Sequence, residues 1–183
     1  MGLGKGPRPT TQTARVKSGS SKVRFYLIRT DLSRELQEFL GNQYYNYAMM
    51  RIIVGVSGAS GVILAKALLA ALQKLPDVET HLVVTRQAGQ TLQLESGLEE
   101  SDLHRLAYAV YPVENTSARI ASGSFQTAGM VVIPCSMKTL SGIAHGYSEN
   151  LLLRAADVCL KERRKLVLVP RETPLSVIHL ENM

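Results

Sequence analysis

Continuous apolar runs and helical stretches alternate along the chain from about residue 50. Strands are predicted near 51–56, 79–85, 109–113 (weak), 130–134 and 165–170. Apolar positions three and four residues apart predict helices near 61–75, 87–95, 100–107, 137–145 and 148–163. Runs without polar alternation, such as Leu166–Val169, are typical of strands that are covered on both faces. The pattern predicts an α/β fold: a three-layer, doubly wound, Rossmann-like parallel sheet.

The first 49 residues differ from this pattern. Residues 1–22 are rich in Gly, Ser, Thr, Pro, Lys and Arg and contain no acid, so we expect them to be disordered. A short strand is predicted at 23–28 and a short helix at 31–40, before a linker at 43–47. We therefore divide the chain into a basic extension, 1–49, and an α/β domain, 50–183. The extension is interpreted as an early start or an added segment, with an organellar presequence as the alternative.

The net charge of +6 is unevenly distributed. Residues 1–49 hold eight basic and three acidic residues, whereas residues 50–183 hold thirteen and twelve. The domain therefore lacks the basic patch that marks a nucleic-acid binder. No apolar run reaches the roughly 18 residues of a membrane span. Cys135 and Cys159 are too few for a disulfide framework and fit a reducing compartment, so we expect a cytoplasmic protein.

The first strand runs into the glycine-rich loop Gly55-Val-Ser-Gly-Ala-Ser-Gly61, which precedes a predicted helix. Glycines let backbone N–H groups approach an anion, and the start of a helix favours negative charge. The loop therefore predicts a phosphate site, the alternative being a tight turn without a ligand. Its spacing is not the dinucleotide G-x-G-x-x-G, and Thr85 stands where an NAD site needs an acid. These features favour a mononucleotide.

Other polar residues follow the later strands. In a doubly wound fold, ligands bind outside the carboxyl ends of the strands, which here are followed by Thr85, Cys135–Thr139 and Arg171-Glu172. The loop Cys135-Ser-Met-Lys-Thr139 is suited to bonding a flat polar ring or a phosphate. The alternative is simple helix capping by Ser136 or Thr139.

Charged residues supply candidates for a second phosphate. Arg154 and Lys161 are seven residues apart and so share a helix face, with Asp157 between them. They could clamp a phosphate or pyrophosphate, or they could form a solvated ion-pair stripe. Glu172 is a candidate general acid or base, and Glu95 is a second one. None of the four histidines lies in a ligand-like cluster, so no metal is expected.

Six segments resemble the UbiX-like flavin prenyltransferases in order and spacing. They are Gly55–Gly61, Ala121–Phe125, Pro134–Gly142, Arg154–Arg164, Leu166–Leu175 and the closing His179–Met183. The resemblance covers residues 50–183 and implies that reduced FMN is alkylated at N5 and then C6 by dimethylallyl phosphate. The product would serve partner decarboxylases of the UbiD type.

The resemblance also implies roles for individual residues. The implied FMN site comprises Gly58, Ala59, Ser60, Thr85, Ser136, Met137, Lys138, Thr139 and Arg171, with Ser60 near the flavin N5. Arg154, Lys161 and Glu172 resemble the set around the substrate phosphate, and Glu95 resembles a carboxylate that aids late proton transfer. Fixed cations would stabilise the departing phosphate while the apolar isoprenoid excludes water. The family further implies a large, dodecamer-like homo-oligomer with sites at subunit interfaces.

The sequence departs from this family in two features, and it is also compatible with two other functions. The family continues past His179–Met183 into another strand, a Pro-rich loop with a phosphate-contacting Tyr and a closing helix, so we expect the present chain to lack these and to turn over poorly. It also has no Trp to place beside a flavin. FMN-dependent cysteine decarboxylases share the first loop but not the segments at 134–139 and 170–174. The other alternative is a non-catalytic flavin-binding subunit of a decarboxylase.

Overall fold

A six-stranded, fully parallel sheet forms the centre of the molecule in the computed structural model, which describes residues 23–25 and 49–183. The strands are β1 (Val23–Phe25), β2 (Met50–Val56), β3 (Val78–Val84), β4 (Ala109–Tyr111), β5 (Gly129–Cys135) and β6 (Lys165–Pro170). Their order across the sheet is β1-β6-β5-β2-β3-β4. The reversal of order between β2 and β5 is the doubly wound topology that the sequence predicts, so the predicted fold class is confirmed.

Six α-helices connect and cover the strands in the described residues. They are α1 (Ile63–Leu72), α2 (Arg86–Ser96), α3 (Glu100–His104), α4 (Met137–Ala144), α5 (Leu151–Lys161) and α6 (Val177–Glu181). A short 3₁₀ helix, Arg119–Ala121, precedes β5. No helix in the described part of the chain is long and apolar enough to cross a bilayer.

Two apolar clusters lie on opposite faces of the sheet. One packs α1 against β2 and β3 through residues such as Leu68 and Leu82. The other packs α4 and α5 against β5 and β6 through residues such as Leu140 and Leu152. The strands β2 and β5 are buried on both faces, which explains their uninterrupted apolar sequences.

The parallel register creates two chemically different edges. The strands begin at one edge, here called the amino edge, where Gly129 pairs with Lys165. They end at the other, here called the carboxyl edge, where Val56 pairs with Val84. Strands of seven residues separate the two edges by about 20 Å. The loops that follow β2, β3, β5 and β6 therefore meet at the carboxyl edge.

The predicted elements are confirmed from β2 to β6, with shifts of a few residues at their ends. The predicted strand at 23–28 is present as β1, whereas the predicted disorder, helix and linker at 1–22, 31–40 and 43–47 lie outside the described residues. The helix α6 and the 3₁₀ turn are additions that the sequence pattern did not predict. The division at residue 49 and the cytoplasmic location stay predictions.

Candidate functional site

Backbone hydrogen bonds join four loops along the carboxyl edge. The Thr85 N–H donates to the Val56 carbonyl at 2.9 Å, and the Ser57 N–H donates to the Pro134 carbonyl at 3.2 Å. The Arg171 N–H donates to the Cys135 carbonyl at 3.1 Å. The segments that follow β2, β3, β5 and β6 thus form one continuous surface, as the parallel fold predicts.

The glycine-rich loop lies between β2 and α1. Gly61 has φ +91°, a left-handed conformation that suits glycine, and α1 begins two residues later with Val62 as its N-cap. Val62 supplies no side-chain cap, and the N–H groups of Leu64 and Ala65 in the first turn donate to the backbone carbonyls of Gly61 and Val62. Ala59 is half-buried, and Ser60 is exposed beside it. A helix start without a side-chain cap, next to an exposed hydroxyl, has the donor chemistry of a phosphate or flavin site.

Thr85 and Glu95 stand at opposite ends of α2. Thr85 is the N-cap, and its hydroxyl accepts a hydrogen bond from the Ala88 N–H at 3.3 Å. Glu95 lies in the last turn, and its two carboxylate oxygens are 3.0 and 3.3 Å from the Gly61 nitrogen. The structure therefore brings Glu95 to the glycine-rich loop, next to Ser60.

The loop after β5 starts α4. The Ser136 hydroxyl accepts from the Thr139 N–H at 3.3 Å and donates to the Thr139 hydroxyl at 3.1 Å, so the capping interpretation of this loop holds. The Met137 side chain packs at the border of the α4–α5 cluster. Lys138 is exposed, with its ammonium 3.6 Å from the Glu149 carboxylate. Capping uses one lone pair of the Ser136 hydroxyl oxygen. The exposed Lys138 places a cation at the carboxyl edge.

The segment after β6 adds two exposed charged residues. Arg171 and Glu172 follow Pro170, the last residue of β6, at the carboxyl edge. The Glu172 carboxylate accepts from the Thr173 N–H at 2.9 Å, which turns the side chain back along its own loop. Both residues share the edge with the glycine-rich loop, as expected.

Arg154 and Lys161 lie in the first and last turns of α5. The Arg154 guanidinium pairs with Asp157 at 2.7 Å and donates from Nε to the Ala121 carbonyl at 3.2 Å. Lys161 ends α5, four residues before β6 begins, and pairs with Glu162. Because β6 begins at the amino edge, Lys161 lies a sheet length away from Ser60. The structure therefore separates Lys161 from the predicted flavin loops in one chain, whereas Arg154 lies in the first turn of α5.

Arg164 was missed by the sequence reasoning. Its guanidinium donates to the Phe125 carbonyl at 2.8 Å and to the Gly123 carbonyl, so it holds the loop from Ser122 to Thr127 against the end of α5. A Cβ atom on Gly123 would lie 3.0 Å from the Lys161 ammonium and 2.2 Å from a Glu162 oxygen. A side chain at this position would therefore displace the ends of the Lys161 and Glu162 side chains. The Ser-Gly-Ser sequence was the available signal.

The two cysteines are packing residues in this structure. Cys135 and Cys159 are free and buried, and burial raises the pKa of each thiol to about 12. A thiolate nucleophile at neutral pH is therefore not available from either residue. Within the described residues, no cluster of His, Cys, Asp and Glu could hold a metal ion.

Comparisons with known proteins agree on one family. The model of the family described as Flavoprotein matches residues 40–182. A probable UbiX-like flavin prenyltransferase from Sedimentibacter hydroxybenzoicus is 58% identical over 134 residues, which are 73% of this chain and 71% of the relative.

Solved structures show the same relationship. A dodecameric FMN-dependent UbiX-like decarboxylase from Escherichia coli O157:H7 is 57% identical, with a TM-score of 0.72 over 73% of this chain and 72% of the other. AnUbiX (PadA1) in complex with FMN and dimethylallyl pyrophosphate is 49% identical, with a TM-score of 0.72 over 74% and 71% of the chains. The peptidyl-cysteine decarboxylase EpiD, at 16% identity and a TM-score of 0.56, shares the fold alone.

Proposed function

Because the chain belongs to the Flavoprotein family and, within it, to the UbiX-like flavin prenyltransferases, we propose that it transfers a dimethylallyl group from dimethylallyl phosphate to N5 and C6 of reduced FMN. The observation that carries the proposal is the identity of 57% with an FMN-dependent UbiX-like structure over 73% of this chain. A relative solved with FMN and dimethylallyl pyrophosphate supports a flavin and a dimethylallyl donor as the two substrates.

The carboxyl edge is the proposed FMN site. Its ligand set is Gly58, Ala59, Ser60, Thr85, Ser136, Met137, Lys138, Thr139 and Arg171. The uncapped first turn of α1 and the cation of Arg171 suit a phosphate, while the hydroxyls of Thr85 and Ser136 suit the polar edge of a ring. When bound, reduced FMN supplies the nucleophilic nitrogen and carbon of the reaction.

Three side chains are the proposed catalytic groups. The exposed Ser60 hydroxyl can donate or accept a hydrogen bond. The Glu95 carboxylate is held by the Gly61 N–H at 3.0 Å and keeps lone pairs that can take up a proton. Glu172 is exposed at the same edge and can exchange a proton at its carboxylate oxygens.

Arg154 and Lys161, together with Glu172, are the proposed binding set for the substrate phosphate. Fixed cations would stabilise the charge that develops on the departing phosphate. Since Lys161 ends α5 near the amino edge, far from Ser60 in one chain, we place this pair of cations against the carboxyl edge of a second copy in a homo-oligomer. A related structure is dodecameric, which supports an assembly of this kind.

The product is proposed to pass to a decarboxylase of the UbiD type. Support comes from the decarboxylase naming of a structure that is 57% identical to this chain. The prenylated flavin can serve a decarboxylase only after it leaves the enzyme that produces it. We therefore expect release of the product and its transfer to the recipient enzyme.

Incubation of the protein with reduced FMN and dimethylallyl phosphate, followed by mass analysis of the flavin, tests the proposal. Added prenyl mass is the expected result. Bound but unchanged FMN would indicate a non-catalytic flavin-binding subunit instead. Release of CO₂ from a peptide with a C-terminal cysteine, without flavin modification, would indicate a cysteine decarboxylase.

A further inference from the structure

Ser57 is a buried polar residue at the carboxyl edge that the proposed FMN set does not include. It follows Val56, the last residue of β2, and precedes Gly58. Only 1% of Ser57 is exposed, so the hydroxyl is not a solvent-facing group. A buried hydroxyl has to be hydrogen-bonded to be tolerated, and its partners therefore indicate what it does.

The Ser57 hydroxyl connects two loops. It donates to the Pro134 carbonyl at 2.9 Å and accepts from the Ser136 N–H at 2.7 Å. The Ser57 N–H also donates to the Pro134 carbonyl, at 3.2 Å. One residue thus makes two hydrogen bonds to the end of β5, at Pro134, and one to the loop that follows it, at Ser136.

These bonds lie beyond the regular pairing of the strands. The last registered pair between β2 and β5 is Gly55 with Val132. The pairing of β5 with β6 also shifts between Val132 and Cys135. Past this point one backbone bond, from the Ser57 N–H to the Pro134 carbonyl, still joins the two segments, and the Ser57 hydroxyl adds two side-chain bonds that reach as far as Ser136.

The bridge extends to the start of α4. Ser136, whose N–H is held by Ser57, uses its own hydroxyl to cap α4 through the Thr139 N–H and hydroxyl. The chain of contacts therefore runs from the glycine-rich loop through Ser57 and Ser136 to Thr139. The glycine-rich loop and Thr139, which lie at the two ends of this series of hydrogen bonds, both contribute to the proposed FMN set.

From these contacts, we propose that Ser57 is a positioning residue that sets the spacing between the two flavin-binding loops, an inference that rests on the proposed function. Ser57 would act through its bonds to Pro134 and Ser136. Its removal should loosen the loops and weaken flavin binding, while the contacts to the prenyl phosphate stay unchanged.

Titration of FMN against wild type, Ser57→Ala and Ser57→Thr tests this inference, with flavin fluorescence as the readout. Ser57→Ala removes both side-chain hydrogen bonds and should raise the Kd for FMN about tenfold, whereas Ser57→Thr keeps the hydroxyl and should restore binding. Amide exchange at Ser136 should accelerate in Ser57→Ala without ligand. Should the alanine variant not fold, Ser57→Cys, with a much weaker hydrogen-bonding group, takes its place.

Thr80→Ala is the matched control. Thr80 is also buried, and its hydroxyl also accepts a backbone N–H, from Tyr108 at 3.1 Å, but it lies in the first half of β3. Its variant should lose stability without a change in the Kd for FMN. Equal FMN affinity in wild type and Ser57→Ala would overturn the inference alone. Failure of wild type to bind FMN would overturn the proposed function and the inference with it.

Discussion

Gly58 lies against α2 with no room for a side chain. A Cβ atom there would be 2.4 Å from the Gln87 Cβ and 3.1 Å from the Gln87 carbonyl carbon. Contacts shorter than 3 Å require one of the two segments to move, and the second contact is with backbone. Packing alone therefore requires glycine at position 58. This requirement is independent of any need for a backbone N–H to approach a phosphate.

Gly58→Ala should displace the glycine-rich loop and weaken FMN binding by roughly tenfold or more, since the N–H groups of the loop leave their positions. Flavin fluorescence titration measures the effect. Gly97→Ala is the control, because Gly97 has φ +67° but no atom within 4 Å of its Cβ position. That variant should lose stability alone. An unchanged Kd in Gly58→Ala would contradict the proposed flavin site.

Glu172→Gln removes a proposed proton-transfer group and keeps the shape of the side chain. We expect prenylation at saturating substrate to slow by about 10²-fold or more, with little change in the Kd for FMN. Single-turnover analysis of the flavin mass gives the rate. Glu181→Gln, another exposed carboxylate near the C-terminal end, should react at the wild-type rate. Unchanged turnover in Glu172→Gln would remove it from the catalytic set.

The loop from Ser122 to Thr127 depends on one side chain of the segment between α5 and β6. Arg164 donates to two of its carbonyls, and Gly123 brings its backbone beside Lys161. The bidentate geometry is specific to a guanidinium, since an ammonium cannot span both acceptors in the same way. The loop and the proposed phosphate cations therefore form one structural unit at the end of α5.

Arg164→Gln should detach this loop. We expect the free energy of unfolding to fall by about 2 kcal/mol and the KM for dimethylallyl phosphate to rise, while the Kd for FMN stays constant. Chemical denaturation and steady-state kinetics provide the two measurements. Arg105→Gln, which removes an exposed ion pair with Asp102, is the control and should change neither value appreciably. A rise in the FMN Kd would mean that the two halves of the site are not separate.

The sequence predicts the elements whose signals are local. The run Ile52–Val54 has no polar alternation because both faces of β2 are buried, so its strand is recognisable without tertiary information. The helix α6 was missed because Val177, Ile178 and Leu180 are all exposed and form no core-facing stripe. Its signal was the capping pair of Ser176 and His179, which stands outside the usual Glu or Gln pattern.

The sequence predicts those residues of the site whose positions depend on the topology of the sheet alone. Parallel strands place Thr85, Ser136 and Arg171 at one edge whatever the details of packing. The spacing of Arg154 and Lys161 predicts a shared helix face, but it does not state which edge of the sheet that face reaches. The course of α5 toward the amino edge, and the dependence of Ser122–Thr127 on Arg164, arise from long-range packing that a local pattern does not encode.

At the scale of the whole molecule, the two proposed half-sites predict complementation between inactive variants. Arg154→Gln should abolish substrate use and retain FMN binding, while Gly58→Ala should do the reverse. Co-assembly of the two would restore some sites that combine an intact flavin loop with an intact Arg154 from another copy. Recovered prenylation in mixed oligomers, compared with either variant alone, measures the effect. No recovery in mixed assemblies of confirmed composition would contradict a shared site.

His81 makes the stability of the fold sensitive to acid. It is 1% exposed, its Nδ1 is 2.9 Å from the Tyr111 hydroxyl, and its Nε2 has no hydrogen-bond partner in the described part of the chain. Burial lowers the pKa of His81, with Arg51 and Arg119 acting in the same direction and Glu79 opposing them. The unfolded chain therefore binds a proton at His81 more readily than the folded protein does.

The free energy of unfolding should consequently be constant above about pH 6.5 and fall at lower pH, by at most about 1.4 kcal/mol per pH unit from this residue. Denaturant unfolding between pH 8 and pH 5 measures the slope. His81→Gln should flatten the slope even if its stability at pH 8 is lower. His145→Gln, at an exposed position, should keep the wild-type slope. Identical slopes in wild type and His81→Gln would exclude His81 as the cause.

The strand β1 lies along β6 at one border of the sheet, in register from Val23 with Leu166 to Phe25 with Leu168. A parallel strand in this position satisfies backbone groups of β6 that would otherwise face solvent as a template for pairing with other chains. Expression from Met50 would remove that cover. The exposed border of β6 would then be free to pair with other chains, so the short strand β1 protects the sheet from aggregation.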